Sequence, residues 1–251
     1  MDVIGIIPAR YSSTRFEGKV LADILGKPMV QHVWERAKQA KVLDDLLIAC
    51  DDERVLEACR EFGAKVIFTA KGHLSGTDRI IEVVNPLDVK VVVNIQGDEP
   101  LIHPVAIDMA AQALLDDGTV SMATIMKKIE NIQDIDNPDV VKVVVDRNNF
   151  ALYFSRAAIP FRARNSEIER PVYYKHIGLY AYTKDFLFIY RNLPASSLED
   201  TERLEQLRVL DSGYRIKVVE TKYDTIGVDT PQDLEKVKEY LRKQDTDNVG
   251  S

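Results

Sequence analysis

The stretch VIGIIPARYSSTRFEGK, residues 3–19, joins a short apolar run to a loop that is rich in cations and hydroxyl groups. The run Val3–Ile7 predicts a buried β-strand, because it is rich in β-branched residues, uncharged and too short for a helix. Pro8 then removes a backbone donor, so the strand is expected to give way to a loop. The loop cations are Arg10, Arg15 and Lys19. Three cations among small residues indicate an anionic ligand, although a solvated loop with ordinary surface charges is the alternative.

The length and composition indicate an ordinary globular protein with one substantial core. The chain has 251 residues, of which 45% are hydrophobic, and a formal net charge of -7. An acidic chain without a basic stripe is not expected to bind a nucleic-acid polymer. The loop cations therefore suit a compact phosphate ligand better than a polymer.

The sequence also indicates where the protein works. No apolar stretch reaches the roughly 20 residues that a membrane span needs, and no charged segment precedes the opening apolar run as in a signal peptide. A membrane is therefore not expected among the partners. Cys50 and Cys59 match no metal-ligand spacing, so we expect two buried, reduced thiols. Reduced thiols favour a cytoplasmic location.

Apolar runs alternate with helical periodicity through the first half of the chain, which is typical of a parallel sheet wrapped by helices. The fold class is therefore predicted to be α/β. The predicted helices begin near Pro28, at Arg54 and at a capping Thr77, and the predicted strands are 46–50, 65–69 and 89–96.

From about residue 121 the pattern changes to four strand-like runs, which predict a β-rich insertion over about 121–183. Asp146–Asn149 has the composition of a hairpin turn between two of these runs. The elements predicted after the insertion are a helix over 198–210, a strand over 216–219, an amphipathic helix over 231–241 and a disordered tail over 246–251.

Two clusters of polar residues fall where a predicted strand stops or a loop begins, and open α/β sheets bind ligands beyond the ends of their strands. The segment Gln96–Pro100, QGDEP, carries Asp98 at the end of a strand. Magnesium takes carboxylate oxygens, so Asp98 can hold a nucleotide-bound ion, and an ordinary aspartate turn is the alternative. Asp229 stands just before the last predicted helix. Two carboxylates from separate loops can share one ion, which favours the metal interpretation.

The segment Ser75–Arg79, SGTDR, opens a predicted helix. Free N–H groups at a helix N-terminus bind anions, and Gly76 allows a ligand close to the backbone. The same residue types also form a plain helix cap, which is the alternative.

Two further pairs, Lys175–His176 and Glu205–Gln206, complete the candidate set. A packed, hydrogen-bonded histidine and the solvated face of a helix are the ordinary interpretations of these pairs. Neither pair indicates a function by itself.

In this order, the motifs resemble those of the 3-deoxy-manno-octulosonate cytidylyltransferases, also called CMP-Kdo synthetases. The matching segments are IIPARYSSTRFEGK, LADILGKPM, SGTDR, NIQGDEP, ALYFSRAAIP, KHIGLYAY, LEQLRVL and GVDTPQDLE, from about Ile4 to Glu235. The resemblance implies a nucleotide-diphospho-sugar transferase type fold, a three-layer α/β/α sandwich with a mostly parallel central sheet and a small β-rich dimerisation insertion. Residues 1–245 are then expected to form a single cytidylyltransferase domain.

The resemblance also implies an activity. The family transfers CMP from CTP to the sugar acid 3-deoxy-D-manno-octulosonate (Kdo), which gives CMP-Kdo and pyrophosphate for lipopolysaccharide biosynthesis. It further implies Mg²⁺ as the cofactor and a homodimer as the assembly.

The roles of individual residues follow from the same resemblance. The residues expected to bind the nucleotide are Pro8, Arg10, Ser13, Arg15, Lys19, Ser75 and Asp98. The residues expected to shape the sugar-acid pocket are Arg79, Gln96, His176, Tyr180, Glu205 and Gln206. The metal is expected on Asp98 and Asp229, and the catalytic set is Asp98, Asp229, Lys19 and Arg15.

Two positions depart from the family pattern, since relatives usually carry proline where Glu17 and Val20 stand. This loop therefore lacks two restraints on φ and gains an anion near the phosphates. We expect weaker CTP binding than with proline at position 17.

Other functions stay open at this point. The same chemistry on 8-amino-Kdo or another 2-keto sugar acid is the nearest alternative, because a site built for a hydroxyl can also accept an amine. A non-catalytic nucleotide or sugar sensor is disfavoured by the two metal carboxylates. A glycosyltransferase with an acidic metal motif is disfavoured by the cationic loop, which suits a free triphosphate better than a nucleotide sugar.

Overall fold

The computed structural model describes residues 1–12, 16–73, 75–163 and 171–249, with the backbone alone for 245–249. The predicted nucleotide-binding residues Ser13 and Arg15 lie outside these ranges. The chain forms two compact units, Met1–Asp108 with Asp224–Ser251 and Met109–Tyr223. Whether the two units act as the single domain expected over residues 1–245 stays a prediction.

The described strands are β1 (Val3–Ala9), β2 (Asp23–Ile24), β3 (Lys27–Pro28), β4 (Asp45–Cys50), β5 (Val66–Phe68), β6 (Val91–Asn94), β7 (Met122–Lys128), β8 (Lys142–Val145), β9 (Ala151–Ser155), β10 (Tyr174–Thr183) and β11 (Lys217–Glu220). The α-helices are α1 (Met29–Ala37), α2 (Glu53–Glu61), α3 (Gly76–Val84), α4 (Pro104–Asp116), α5 (Gln133–Asp136), α6 (Lys184–Arg191), α7 (Ser197–Glu202), α8 (Leu207–Asp211) and α9 (Pro231–Val249). A single turn of 3₁₀ helix covers Lys19–Leu21.

The first unit contains parallel strands in the order β6-β1-β4-β5. Strand β1 lies between two parallel neighbours, with Ile4 beside Asp45 of β4 and Val3 beside Val91 of β6. Its residues are buried except for the partly exposed Pro8, which explains the continuous apolar run in the sequence. Because these strands are parallel, the loops that follow β1, β4 and β6 all leave the same edge of the sheet.

The second unit contains the β-rich segment. Strand β7 pairs with β10 in antiparallel and with β11 in parallel orientation, and β8 pairs antiparallel with both β10 and β9. A bulge interrupts β10 between Ile177 and Tyr180, which face Ile125 and Thr124 of β7. The hairpin predicted at Asp146–Asn149 joins β8 and β9, and its Asn149 has a positive φ of 58°.

The α/β fold class with a mostly parallel sheet is confirmed, and the four predicted strand runs of the second half are β7 to β10. Helices α4 and α6 were not predicted. The predicted cap of α3 was wrong, because Ser75 and not Thr77 is the N-cap and accepts a hydrogen bond from the Asp78 N–H.

The predicted helix over 198–210 was also wrong. It is divided into α7 and α8 because Arg203 takes the left-handed conformation, with φ 55° and ψ 46°. The last helix continues past the predicted end at Leu241 to Val249, since residues 242–249 contain neither glycine nor proline. The expected disordered tail over 246–251 is therefore helical through Val249, and residues 250–251 lie outside the described part of the chain.

Both cysteines are free and fully buried, as predicted. Burial raises the pKa of Cys50 to about 11 and that of Cys59 to about 12, so both are protonated, unreactive thiols. Within the ranges that the structure describes, no helix has the length and apolar character needed to cross a membrane.

Candidate active site

Three loops of the first unit meet at the ammonium group of Lys19. Its Nζ donates to Asp98 Oδ2 at 2.6 Å, to Asp229 Oδ1 at 3.1 Å and to the Val228 carbonyl at 3.0 Å. These three acceptors use all three protons of the ammonium group. The structure therefore brings together three predicted site residues that are far apart in sequence.

Lys19 is held by the turn that precedes it. Gly18 is the N-cap of the 3₁₀ turn, with φ 68°, and its N–H donates to the Tyr11 carbonyl at 2.9 Å. A side chain at Gly18 would meet the ring of Tyr11 at 3.1 Å, so only glycine fits this turn without strain. The guanidinium of Arg54 stacks on the ring of Tyr11, with its Cζ 3.3 Å from the ring centre.

Asp98 is placed by the close approach of its loop to the end of β1. A Cβ atom on Gly97 would lie 2.8 Å from the Pro8 carbonyl oxygen, so the position requires glycine. The Asp98 carbonyl accepts a hydrogen bond from the Val228 N–H at 2.9 Å, which brings the loop of Asp229 alongside. Val228 is itself buried against α9. The loops that carry the two carboxylates are thus held in place by contacts of their own backbone.

The electrostatics of this group favour a cation. Burial alone would lower the pKa of Lys19, but the charges and hydrogen bonds of Asp98 and Asp229 outweigh burial and raise it above its ordinary value of 10.5. The side chain of Lys19 is 13% exposed, whereas those of Asp98 and Asp229 are 31% and 49% exposed. Both carboxylates therefore remain open to solvent and to a ligand.

The donor set fits a hard divalent cation. Both carboxylates already share one positive charge at hydrogen-bond distance, and oxygen donors are those that Mg²⁺ prefers. In the part of the chain that the structure describes, no group of three or more acidic, histidine or cysteine side chains forms a metal cluster. A magnesium ion here would take two protein ligands and complete its shell with water and phosphate oxygens, as this ion usually does at nucleotides.

The predicted nucleotide segments converge on Pro8. A Cβ atom on Gly76 would lie 3.5 Å from Pro8 Cγ, so the N-terminus of α3 packs on the end of β1. Ser75 caps this helix, and its hydroxyl donates to Asp78 Oδ2 at 2.9 Å. Arg10 is exposed two residues after Pro8. The end of β1 thus lies beside both the helix N-terminus and the loop of Asp98.

Arg79 occupies a different environment from the one predicted for a ligand-binding residue. Its side chain is fully buried, and its guanidinium donates to Asp51 Oδ2 at 2.6 Å and to Thr69 Oγ1. Asp51, which directly follows β4, was not among the predicted residues. The contacts of Arg79 are therefore structural in this conformation, and its role in the sugar-acid pocket stays a prediction. Gln96, the other predicted pocket residue of this unit, donates to Asn94 Oδ1 at 3.0 Å.

The second unit holds the remaining predicted pocket residues. His176 on β10 packs edge-on against Phe154, with ring centres 4.9 Å apart, and lies 5.4 Å from the ring of Tyr180. Burial lowers the pKa of His176 to about 3, so its imidazole is neutral at physiological pH. The pKa of Tyr180 is raised well above 10.0 by burial, with smaller contributions from Tyr190 and Glu205.

Glu205 and Gln206 lie in the break between α7 and α8 and not on a continuous helix face. Gln206 is 3% exposed, and its Nε2 has no hydrogen-bond partner among the described residues. Glu205 is exposed, and its carbonyl accepts a hydrogen bond from Tyr190 Oη at 3.3 Å. The alternative of a solvated helix face therefore does not hold for Gln206, which is buried just after the left-handed Arg203.

An α/β fold that gathers a lysine, two carboxylates and a helix N-terminus beside the ends of parallel strands is typical of nucleotidyltransferases. The sequence model of the family described as Cytidylyltransferase matches residues 4–217. This match covers most of the chain and includes Lys19, Asp98 and His176.

The relatives narrow the class to one family. A 3-deoxy-manno-octulosonate cytidylyltransferase of Solibacter usitatus is 52% identical and covers 99% of this chain and 98% of its own. The protein of the same name from Geotalea uraniireducens is 51% identical over 97% of this chain and 100% of its own. A solved structure of a CMP:2-keto-3-deoxy-manno-octonic acid synthetase complexed with CTP is 43% identical, with a TM-score of 0.91 over 97% of this chain and 100% of that one. The chain belongs to the 3-deoxy-manno-octulosonate cytidylyltransferase family.

Proposed function

We propose that this protein transfers CMP from CTP to Kdo and releases pyrophosphate, as the names of its relatives describe. The observation that carries the proposal is the meeting of Lys19, Asp98 and Asp229 at one point, because a triphosphate needs both a metal ion and a fixed cation. The similar solved structure is described as a complex with CTP, which supports CTP as the nucleotide substrate proposed for this chain.

The reaction forms one P–O bond and breaks another. The anomeric hydroxyl of the sugar attacks the α-phosphorus of CTP, the bond to the β-phosphate oxygen breaks, and the hydroxyl proton leaves to solvent. Both substrates are anions, so the enzyme must chiefly position them and offset charge. Lys19 is suited to offset the charge that builds on pyrophosphate, because its pKa is raised and it stays protonated. Arg10 is exposed on the same loop, and Arg15 follows it in sequence.

We propose Mg²⁺ as the cofactor, held by Asp98 and Asp229. When bound, it would neutralise phosphate charge and lower the pKa of a coordinated hydroxyl. The two carboxylates that Lys19 now bridges would supply the protein ligands.

We propose that His176, Tyr180 and Gln206 of the second unit bind the sugar acid. Within the described part of the chain, the buried Nε2 of Gln206 has no hydrogen-bond partner. This supports a role for Gln206 in binding the sugar acid, since a buried amide proton without an acceptor is costly unless a ligand or water satisfies it. For Gln96 and Arg79, which belong to the first unit, a role in binding the sugar acid stays a prediction.

We further propose that the protein is a homodimer and works in the cytoplasm. Large apolar side chains are exposed in the second unit, including Phe161 at 88% and Leu152 at 63%. Exposed apolar groups of this size favour self-association. The two buried, unpaired thiols support a reducing compartment. Sedimentation equilibrium of the wild type and of Phe161→Glu tests the assembly, because a dimer through this face should dissociate in the variant.

The activity is tested by pyrophosphate release from CTP and Mg²⁺ with Kdo, 8-amino-Kdo or N-acetylneuraminate in separate reactions. We expect release with Kdo and a product with the mass of CMP-Kdo. Preference for 8-amino-Kdo would reassign the substrate within the same chemistry. CTP binding without release from any of the three sugars would contradict the proposal and favour a sensor. In the same assay Asp98→Asn should lose turnover by orders of magnitude. Asp23→Asn is its matched control, because Asp23 is exposed on the β2–β3 hairpin.

A further inference from the structure

Thr124 lies in the middle of β7, opposite the bulge of β10, and is fully buried. Its hydroxyl oxygen is 2.8 Å from the Leu179 carbonyl, 3.3 Å from the Ile177 carbonyl and 2.9 Å from His176 Nε2. Thr124 therefore joins the two carbonyls of the bulge to the imidazole of His176. Thr124 is not one of the candidate site residues described above.

The protons of this cluster can be assigned by counting donors. A threonine hydroxyl has one proton and two lone pairs, whereas a carbonyl oxygen can only accept. The hydroxyl proton must go to a bulge carbonyl, and Leu179 is the nearer one. The lone pairs of Thr124 then face His176 Nε2, which must carry a proton to avoid two acceptors in contact. The opposite arrangement would leave both buried carbonyls facing a lone pair.

A neutral imidazole carries one proton, so a proton on Nε2 leaves Nδ1 as an acceptor. His176 is neutral at physiological pH because burial lowers its pKa to about 3. Among the described residues, Nδ1 has no hydrogen-bond partner, and His176 as a whole residue is partly exposed. Nδ1 is thus left as an acceptor for a donor group of a ligand.

We propose that Thr124 is a positioning residue that fixes His176 as the Nε2–H tautomer and thereby presents Nδ1 as an acceptor to a hydroxyl group of the sugar acid. This inference rests on the proposed function, since it places the sugar beside His176. It also sets a limit on specificity. An uncharged acceptor takes a hydroxyl or an ammonium group of the substrate, but not its carboxylate, which must be bound by other residues.

The tautomer is tested first, by two-bond ¹H–¹⁵N spectra of the full-length protein labelled on histidine. The signal of His176 is identified among the four histidines by its loss in His176→Gln. We expect the proton on Nε2 in the wild type. A proton on Nδ1 would overturn the inference, whatever the activity of the enzyme proves to be.

The effect on substrate binding is tested with Thr124→Val, which keeps the β-branched shape and removes the hydroxyl, and with Thr124→Ser, which keeps the hydroxyl. We expect the valine variant to lose the fixed tautomer and to raise KM for the sugar acid by about three- to tenfold, which corresponds to one neutral hydrogen bond. Its dissociation constant for CTP should stay unchanged, and the serine variant should keep wild-type values.

An unchanged tautomer in Thr124→Val, or a changed tautomer with an unchanged KM for the sugar acid, would overturn the inference. Equal loss of CTP binding and sugar binding would show a general structural effect, and would overturn it as well. If no sugar acid supports pyrophosphate release, the proposed function fails, and the spectra of the wild type still decide the tautomer.

Discussion

Gly97→Ala tests how strictly the backbone at the end of β1 positions Asp98. The added methyl carbon would lie 2.8 Å from the Pro8 carbonyl oxygen, whereas the closest ordinary C···O contacts are about 3.3 Å. The loop must therefore move by about 0.5 Å, because its neighbour is backbone and not a flexible side chain. Asp98 is the next residue and must move with it. A 1 Å error in a catalytic group costs about a hundredfold in rate, so we expect roughly a tenfold loss of kcat.

The same overpacking should destabilise the protein by about 1–3 kcal/mol. Urea unfolding measures this loss, and pyrophosphate release measures the loss of kcat. The matched control is Gly118→Ala, because a Cβ atom there has no neighbour within 4 Å. If Gly97→Ala keeps both the kcat and the stability of the control, the backbone contact at Gly97 does not position Asp98.

Three further predictions concern the loop, the buried ion pair and pH. Glu17→Pro should lower the dissociation constant for CTP by about two- to tenfold, because proline restrains φ at this position and the exposed carboxylate is removed. Titration calorimetry measures this constant, and a value equal to or higher than that of the wild type would refute the prediction. Asp51→Ala should lower the free energy of unfolding in urea by about 3–5 kcal/mol, because it removes the ion-pair partner of the buried Arg79. The control Lys65→Ala breaks an exposed ion pair and should cost less than about 1 kcal/mol. Similar losses in the two variants would contradict this prediction. The pKa of Lys19 is raised on folding, so the contribution of its charge to stability is complete below pH 10.5 and is lost as pH rises above that value. The difference in unfolding free energy between wild type and Lys19→Gln should therefore be constant from pH 7 to 9 and shrink at higher pH. A difference that grows at higher pH would contradict this prediction.

Local patterns predicted much of the fold. Strand β1 is a continuous apolar run with a proline at its end, and both features act over a few residues. The hairpin at Asp146–Asn149 was likewise visible, because its turn residues favour a positive φ. By contrast, Arg203 takes the left-handed conformation without being glycine or asparagine, so the break between α7 and α8 had no local signal.

Some residues of the candidate site could likewise be predicted from the sequence, and others could not. Asp98 and Asp229 were predicted because each carboxylate follows a recognisable strand end or precedes a helix, and the family pattern assigned them one ion. The partner of Arg79 could not be predicted, because Asp51 reaches it only through the packing of α3 on the sheet. Thr124 was missed for a similar reason. A threonine in an apolar strand looks like an ordinary β-branched residue until the bulge of β10 brings two carbonyls and His176 to its hydroxyl.

We propose that Asp98 and Asp229 act as one unit that holds a single catalytic cation. The most direct test is a double-mutant cycle on kcat for pyrophosphate release, with Asp98→Asn, Asp229→Asn and the double variant assayed at saturating CTP, Kdo and Mg²⁺. If both carboxylates hold the same ion, removing either one should cost orders of magnitude, and the double variant should be little worse than the poorer single variant. If the two losses multiply, or if either single variant keeps wild-type turnover with normal magnesium dependence, the two carboxylates do not share one catalytic ion.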